Sequence, residues 1–267
     1  MQLTTVLKKM TSELINHHQV SYYLATSDHF INMNQAINCK LSIDFKGCNC
    51  LNCQEDKKIY RQGFCYNCFY KSPSTADWII KPELSKAHLA IEDRDLDYEK
   101  KVQLQPHIVY LALSSNVKIG VTRKTQVPTR WIDQGATKAI EILETPNRYL
   151  AGITEVALKK YVADKTSWQK MLKNEIAEGD LLEEKERLKQ YIPAEAMAYF
   201  LESQHTETHI EYPVLEYPTS IQSLKIDRDI NYSGVLKGIK GQYLLFADGT
   251  VFNIRGNEGC RVQLSID

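Results

Sequence analysis

The chain has 267 residues, which exceeds the length of a typical single domain and favours two or three small domains. Its 33 basic residues balance its 33 acidic residues, so any nucleic-acid site must be a local basic patch. No run approaches the ~20 apolar residues of a membrane helix, and residues 1–18 lack the apolar core of a signal peptide. We therefore expect a cytoplasmic protein with no membrane partner.

The N-terminal segment, residues 1–46, is predicted to contain a short helix followed by strands. Residues 2–17 place apolar side chains at helical spacing, namely at Leu3, Val6, Leu7, Met10 and Leu14. Residues 19–46 are typical of strands, because apolar and polar side chains alternate around Leu41, Ile43 and Phe45. We expect the helix to pack against the protein and the strands to join others elsewhere in the chain.

Residues 47–72 carry the strongest signal in the sequence, a cluster of cysteines typical of a metal site. Two CxxC pairs, separated by eleven residues, can each offer two thiolates to one tetrahedral zinc ion: Cys50, Cys53, Cys65 and Cys68. A short hairpin through residues 57–63 fits between the pairs. A redox CxxC is the alternative, but two pairs this close favour a structural zinc ribbon or knuckle. Cys48 either replaces Cys50 or is a free thiol.

A polar connecting segment, residues 73–106, leads to an α/β module at residues 107–176. The predicted order is a two-stranded hairpin, a helix that begins near Pro128 and carries Arg130, a strand, and a long helix that carries Glu155. The predicted bounds of the strands and the long helix are Ile108–Leu113, Val117–Thr122, Ala139–Leu143 and about Tyr149–Ala163.

This element order resembles the GIY-YIG nuclease superfamily. Ile108-Val109-Tyr110 matches the first triplet and Lys118-Ile119-Gly120 the second, while Arg130 and Glu155 match the helix arginine and the metal-binding glutamate. The resemblance implies phosphodiester hydrolysis with Mg²⁺ or Mn²⁺ on Glu155 and with Arg130 near the phosphate. Tyr110 would then position or activate the attacking water. Lys118 stands where the family has a tyrosine and would add charge stabilisation.

The module also contains a candidate phosphate-binding patch. Four basic residues fall within thirteen positions, at Lys118, Arg123, Lys124 and Arg130. An ordinary mixed surface is the alternative, because Glu141 and Glu144 lie nearby in the sequence. Glu155 lies at the border of an apolar helical stripe, where either a bound cation or a structural ion pair with Arg130 would account for it.

Residues 177–206 predict two helices with an exposed charged face, and residues 207–267 predict a C-terminal β domain. The helices are expected around Leu181–Tyr191 and Ala194–Glu202, and Asp248-Gly249 predicts a β-hairpin. Because the strands of residues 19–46 lack partners, we expect them to pair with the C-terminal strands. The predicted fold is α+β: a small β-barrel or sandwich with an inserted zinc ribbon and an inserted α/β module.

Motifs along nearly the whole chain are similar to one bacterial domain-of-unknown-function family, which combines a Cys₄ zinc knuckle with a GIY-YIG-like module. They include GFCYNCF, IKPEL, PHIVYLALSSNVKIGVTR, PTRWIDQGAT and EVALKKYVADKTSW. The resemblance implies an architecture and no activity. Our leading hypothesis is a zinc-containing protein that binds DNA or RNA, with metal-dependent cleavage left open. The alternative is a non-catalytic protein-interaction scaffold on a degenerate nuclease fold.

Overall fold

The computed structural model describes residues 1–26, 30–162, 167–226 and 231–267. Within these ranges the fold is mixed α+β with four β-sheets. The chain divides into two compact units. The first, called the terminal unit, comprises Met1–Tyr70, Ile132–Gly135 and Glu211–Asp267, and the second, called the central unit, comprises Lys71–Trp131 and Ala136–Ile210. In the described ranges, no helix has the length and apolar character needed to span a membrane.

Most of the β structure belongs to the terminal unit. In chain order the strands are β1 (Gln2–Val6), β2 (Thr11–Ile15), β3 (Gln19–Ala25), β4 (Phe30–Asn32), β5 (Lys40–Cys48), β6 (Ile59–Arg61), β7 (Phe64–Cys65), β8 (His107–Leu113), β9 (Val117–Arg123), β10 (Lys138–Thr145), β11 (Thr208–His209), β12 (Gln222–Ser223), β13 (Asn231–Lys240), β14 (Tyr243–Phe246), β15 (Thr250–Asn253) and β16 (Cys260–Ile266).

The α-helices are short, apart from one of twelve residues. They are α1 (Tyr66–Lys71), α2 (Asp77–Ile80), α3 (Leu96–Gln103), α4 (Thr129–Asp133), α5 (Arg148–Lys159), α6 (Trp168–Leu172), α7 (Leu181–Lys189) and α8 (Ala194–Met197). The helix predicted to reach Ala163 ends at Lys159, and residue 163 itself lies outside the described ranges.

The largest sheet combines strands from both ends of the chain, in the order β1-β16-β5-β13-β14-β15-β12. Strand β16 pairs with β5, as expected for strands of residues 19–46 that need C-terminal partners, and its other neighbour is β1. The predicted hairpin at Asp248-Gly249 joins the antiparallel strands β14 and β15. Gly249 has a φ of +82°, which suits a turn that requires a left-handed residue.

This sheet is open in the described chain, so of the predicted alternatives, a small barrel or a sandwich, the barrel is wrong. Its two edge strands, β1 and β12, pair with one neighbour each. Strand β12 has two residues and runs parallel to β15, so it offers too few backbone groups to close the sheet onto β1. Strands β2, β3 and β4 form a separate three-stranded sheet.

The predicted N-terminal helix is also wrong, because residues 2–17 form β1 and β2. Gln2 to Val6 pair with Ser265 to Arg261 of β16. The run Thr4-Thr5-Val6 is β-branched and suits a strand, and the backbone partner supplied by β16 outweighs the helical spacing of a few apolar residues. Leu7 and Met10, both 0% exposed, lie in the connection between the two strands.

The central unit is built on the antiparallel sheet β11-β10-β8-β9, with every residue of β8 buried. Val109 and Leu111 of β8 belong to an apolar cluster with Ala151 and Leu158 of α5. Successive side chains of a strand point to opposite faces, so α5 lies on the face of Val109 and Leu111, and Tyr110 lies on the other face. The order of hairpin, helix, strand and helix in this unit agrees with the predicted secondary structure.

Candidate functional site

The four cysteines of the two CxxC pairs come together in the terminal unit. The Sγ atoms of Cys50, Cys53, Cys65 and Cys68 all lie within 4.8 Å of one another. A tetrahedral zinc ion with Zn–S bonds of ~2.3 Å places its sulfur atoms roughly 3.8 Å apart, so this set, called the cysteine cluster, fits one zinc ion. The spacing of the two pairs therefore indicated a set of side chains that the fold does assemble.

Local backbone geometry builds the cysteine cluster. Strands β6 and β7 form the hairpin between the two pairs, and Gly63 at its turn has a φ of +76°. The backbone N–H of Cys65 donates to Sγ of Cys50 (3.2 Å), and the amide of Asn52 donates to Sγ of Cys68 (3.4 Å). Burial raises the pKa of Cys50, but backbone N–H donors, that of Cys65 first, lower it to about 6. At Cys50 the donors favour the thiolate that a metal requires. At Cys68 the Asn52 amide lowers the pKa, but burial and the neighbouring cysteines outweigh it and raise the pKa to about 11.

Cys48 lies outside the cysteine cluster. It is the last residue of β5 and pairs with Cys260 on the neighbouring strand β16. Cys50, and not Cys48, therefore completes the group of four sulfur atoms. Cys48 was predicted either to replace Cys50 or to be a free thiol, and the geometry favours the free thiol.

Glu155 occupies a buried position on α5. Its side chain is largely enclosed, and its Oε1 lies 3.1 Å from Nζ of Lys159, one helical turn away. Burial raises the pKa of Glu155, Lys159 opposes this, and the nearby carboxylate of Glu83 raises it further. Glu83 can come close because Gly152 has no side chain: a Cβ there would lie 2.2 Å from the backbone N of Glu83.

Arg148 is the first residue of α5, after the N-cap Asn147. Its guanidinium donates to the carbonyl oxygens of Trp78 (3.1 Å) and Ile79 (2.7 Å). Burial lowers the pKa of Arg148 to about 10 while Glu155 raises it, so the side chain is charged at neutral pH. We did not predict Arg148 as a site residue. The signal for it is a cation at the first position of a helix, where the helix dipole disfavours positive charge.

Arg123 and Arg130 approach the same guanidinium, since both add to the effect of burial in lowering the pKa of Arg148. Arg123 ends β9, and Arg130 lies in α4. Both are partly buried, and within the described ranges neither guanidinium has a hydrogen-bond or ion-pair partner. Arg123 and Arg130 thus each lie within electrostatic range of the Arg148 guanidinium, and the three residues are called the arginine cluster.

His107 lies beside the arginine cluster, directly opposite Arg123 in the β8–β9 register. It is 0% exposed, and its Nδ1–H donates to the carbonyl oxygen of Gln105 (2.7 Å). Its pKa is lowered to about 4, mainly by burial. The hydrogen bond to Gln105 raises the pKa, whereas the charges of Arg148 and Arg123 lower it further. The imidazole is therefore neutral at pH 7. Its Nε2 is buried and has no hydrogen-bond partner in the described chain.

The structure does not bring Tyr110 together with Glu155. Tyr110 is 0% exposed, and its ring lies across Gly120, the residue opposite it on β9. Lys118 lies on the same sheet face, opposite Ala112 and away from α5. The four residues predicted to be catalytic, Tyr110, Lys118, Arg130 and Glu155, are therefore divided between the two faces of the sheet and the helices beside it.

The four predicted phosphate-binding residues also separate. Arg123 and Arg130 lie within electrostatic range of Arg148, whereas Lys118 lies on the face away from α5. Nζ of Lys124 lies 2.8 Å from both carboxylate oxygens of Glu144, in a partly exposed ion pair. Two of the four residues thus belong to the arginine cluster, with Arg148 as the third member.

Comparison with known proteins gives one match. A family described as "Protein of unknown function (DUF2797)" matches residues 38–262. The matched span includes both the cysteine cluster and the arginine cluster. No curated protein and no solved structure matches the chain.

Proposed function

The chain belongs to the DUF2797 family, whose description assigns no activity, and we propose from its site that it binds nucleic acid. The arginine cluster contacts the phosphates, and the cysteine cluster holds a structural zinc ion. One observation carries the proposal: Arg123 and Arg130 are partly buried within electrostatic range of Arg148 and have no hydrogen-bond or ion-pair partner in the described chain. Like charges within electrostatic range repel one another, and a bound anion would offset this repulsion.

A phosphate group is the anion that suits this arrangement. Guanidinium groups are planar, remain charged, and bind phosphate oxygens through two parallel hydrogen bonds. Arg148 is oriented by the carbonyl oxygens of Trp78 and Ile79, and this limits the entropy lost when it meets a ligand. His107 is neutral and adds no further positive charge. The resemblance of residues 107–176 to GIY-YIG nucleases favours a phosphodiester as the source of the phosphate.

The cysteine cluster would hold zinc through all four sulfur atoms. Four thiolates leave no open coordination position, which is typical of structural rather than catalytic zinc. The bound ion would cross-link the turn after β5 to the β6–β7 hairpin and α1. The donors beside Cys50 and Cys68 would stabilise the thiolate forms of these ligands.

Salt-dependent binding tests the proposal. Fluorescence anisotropy would measure the affinity of the zinc-loaded protein for labelled DNA and RNA, single- and double-stranded, over a series of salt concentrations. We expect the double variant Arg123→Gln/Arg130→Gln to bind at least about tenfold more weakly. The slope of log affinity against log salt concentration should also become shallower by about two. Lys160→Gln, an exposed lysine just after α5, is the matched control and should bind like the wild type.

Equal binding by the double variant and the wild type would contradict the arginine site. If no nucleic acid binds at low salt, the protein-interaction scaffold becomes the better hypothesis. Its interaction surface would include the charged helix α7, whose exposed side chains include Glu183 and Glu186.

Metal-dependent cleavage is a second candidate function, favoured by the proximity of Glu83 and Glu155. The charge of Glu83 adds to burial in raising the pKa of Glu155, so the two carboxylates lie within electrostatic range. Oxygen ligands of this kind suit Mg²⁺ or Mn²⁺. In the cleavage step water would attack the phosphorus, the P–O bond to the leaving oxygen would break, and that oxygen would take up a proton. Roles for Arg130, Lys118 and Tyr110 in this step remain predictions.

Cleavage assays separate this candidate from binding alone. If the module is a nuclease, labelled DNA or RNA is cut only with Mg²⁺ or Mn²⁺, and Glu155→Gln abolishes cutting. Glu183→Gln, an exposed carboxylate on α7, should cut like the wild type. Binding without cutting by the folded wild type would leave nucleic-acid binding as the function and exclude the catalytic role of Glu155.

A further inference from the structure

The segment from β6 to α1, which carries Cys65 and Cys68, exposes a group of aromatic rings that the proposed function does not use. Tyr60 of β6 contacts two rings of α1, with centroids 5.2 Å away at Tyr66 and 5.3 Å away at Phe69. The ring centroids of Tyr66 and Tyr70 are 4.8 Å apart. Tyr60, Tyr66 and Tyr70 are 41%, 60% and 50% exposed. We call Tyr60, Tyr66, Phe69 and Tyr70 the tyrosine cluster.

Packing does not account for these exposed rings. None of the six residues of α1 is buried, so the helix contributes no residue to the buried core. Cys65 and Cys68 tie this segment to the cysteine cluster. Large apolar side chains gathered on a surface leave apolar area in contact with water, and such patches commonly mark binding sites. The metal site would thus hold the partly exposed rings in place on the surface.

Unpaired cations accompany the rings. The guanidinium of Arg61 lies 5.4 Å from the centre of the Tyr60 ring. Arg61 and Lys58 are exposed, and in the described chain neither has a carboxylate partner. Lys57, by contrast, is paired with Glu55. The surface therefore combines exposed aromatic rings with positive charge that has no carboxylate partner in the described chain.

We propose that the tyrosine cluster binds single-stranded nucleic acid by stacking unpaired bases on Tyr66 and Tyr70, with phosphates beside Arg61 and Lys58. Base–aromatic stacking tolerates any sequence because every base has a π-face. A duplex keeps its bases stacked on one another, so its affinity would gain nothing from these rings. This inference rests on the proposed function for the kind of ligand, but it assigns a separate site in the terminal unit.

A pair of oligomers that differ only in their bases provides the test. One is a labelled oligothymidylate, and the other is an abasic deoxyribose-phosphate strand of the same length and charge. We expect Tyr66→Ala/Tyr70→Ala to bind the oligothymidylate at least about tenfold more weakly and the abasic strand unchanged. Tyr66→Phe/Tyr70→Phe keeps the rings and should bind like the wild type. Tyr161→Ala, a 44% exposed tyrosine of the central unit, is the matched control.

The arginine variant makes the two proposals separable. Arg123→Gln/Arg130→Gln should weaken both oligomers by a similar factor and keep the preference for bases. If Tyr66→Ala/Tyr70→Ala keeps the wild-type preference, the stacking site is overturned, whatever the arginine variant does. If the arginine variant changes nothing while the alanine variant loses the preference, the stacking site stands and the arginine site fails.

Photochemical cross-linking guards against misfolded variants, because it uses the wild-type protein. An oligomer that contains 5-iodouracil should cross-link to Tyr66 or Tyr70, as identified by peptide mass spectrometry. Cross-links confined to other parts of the chain would overturn the proposal. The zinc content of each variant should match that of the wild type, which would show that the cysteine cluster is intact.

Discussion

At the scale of the residue, His107 shows how burial decides protonation. The imidazole is enclosed, its Nδ1–H is used by Gln105, and two guanidiniums lie nearby. A proton on Nε2 would place a third positive charge beside Arg123 and Arg148 without a partner. Because the folded-state pKa of about 4 lies below the ordinary value of 6.5, the unfolded chain takes up this proton first as the pH falls.

The contribution of His107 to stability is therefore complete above pH 6.5 and is lost as the pH falls from 6.5 towards 4. The full loss is at most roughly 3 kcal/mol, from 1.36 kcal/mol for each pKa unit. We expect His107→Asn, which can still donate to Gln105, to remove this part of the acid sensitivity. Urea unfolding at pH 7.5 and 4.5 measures the difference. The exposed His88→Asn is the control and should keep the wild-type pH dependence.

At the scale of the element, helix α7 offers a direct comparison of two lysines. Lys185 is 0% exposed, and its Nζ donates to the carbonyl oxygens of Leu201 and Gln204, at 2.6 Å each. Lys189, one turn later, forms a partly exposed ion pair with Glu202. Both ammonium groups lie over the Phe200 ring, at 5.2 and 5.0 Å. The two differ mainly in burial and in the acceptors they satisfy.

We expect Lys185→Met to lower the free energy of unfolding by about 1–3 kcal/mol, because it leaves two carbonyl groups without their donor. Lys189→Met should change it by less than about 0.5 kcal/mol, since a surface ion pair contributes little. Chemical denaturation of both variants gives the two values. Equal losses would show that the shared contact with Phe200, rather than the buried hydrogen bonds, stabilises this region.

The segment from β6 to α1 depends on its cysteines more than on apolar packing. Its strands β6 and β7 have three and two residues. Its helix α1 has six residues, none of which is buried. We expect the wild type to contain about one zinc ion per chain. Cys65→Ser should lose the zinc and unfold at a lower temperature, while Cys39→Ser, outside the cysteine cluster, should keep both. Elemental analysis and calorimetry measure these properties, and a stable metal-free wild type would contradict the zinc site.

At the scale of the whole molecule, β16 joins the two ends of the chain. It lies between β1 and β5 and contributes Val262 and Leu264 to the core. We expect truncation after Gly259 to leave β1 without a partner and to expose one edge of β5. Hydrogen exchange should then show loss of amide protection in both strands, whereas truncation after Ile266 should preserve it. Persistent protection in the shorter chain would mean that another segment replaces β16.

Several features followed from the sequence because their causes are local. The CxxC spacing indicated four sulfur atoms that the hairpin and α1 bring together. Asp248-Gly249 indicated a turn, because glycine accepts the positive φ that the connection requires. Alternation of apolar residues indicated β8 and β9, and the helical spacing of α5 placed Glu155 at a buried border. In each case the decisive residues are neighbours in the chain.

The remaining features depend on distant partners, and only the tertiary structure decided them. Residues 2–6 became a strand because β16 supplies a partner more than 250 positions away. Arg148 joined Arg123 and Arg130 because carbonyl oxygens of Trp78 and Ile79 orient its guanidinium. Tyr110 was enclosed across Gly120 on the face away from α5, so Tyr110 and Glu155 are not neighbours. Sequence pattern thus indicated the elements with local causes and the four clustered cysteines. Long-range pairing and burial determined the N-terminal strands and which charges come within electrostatic range, because electrostatic interactions depend on distance and solvent exposure.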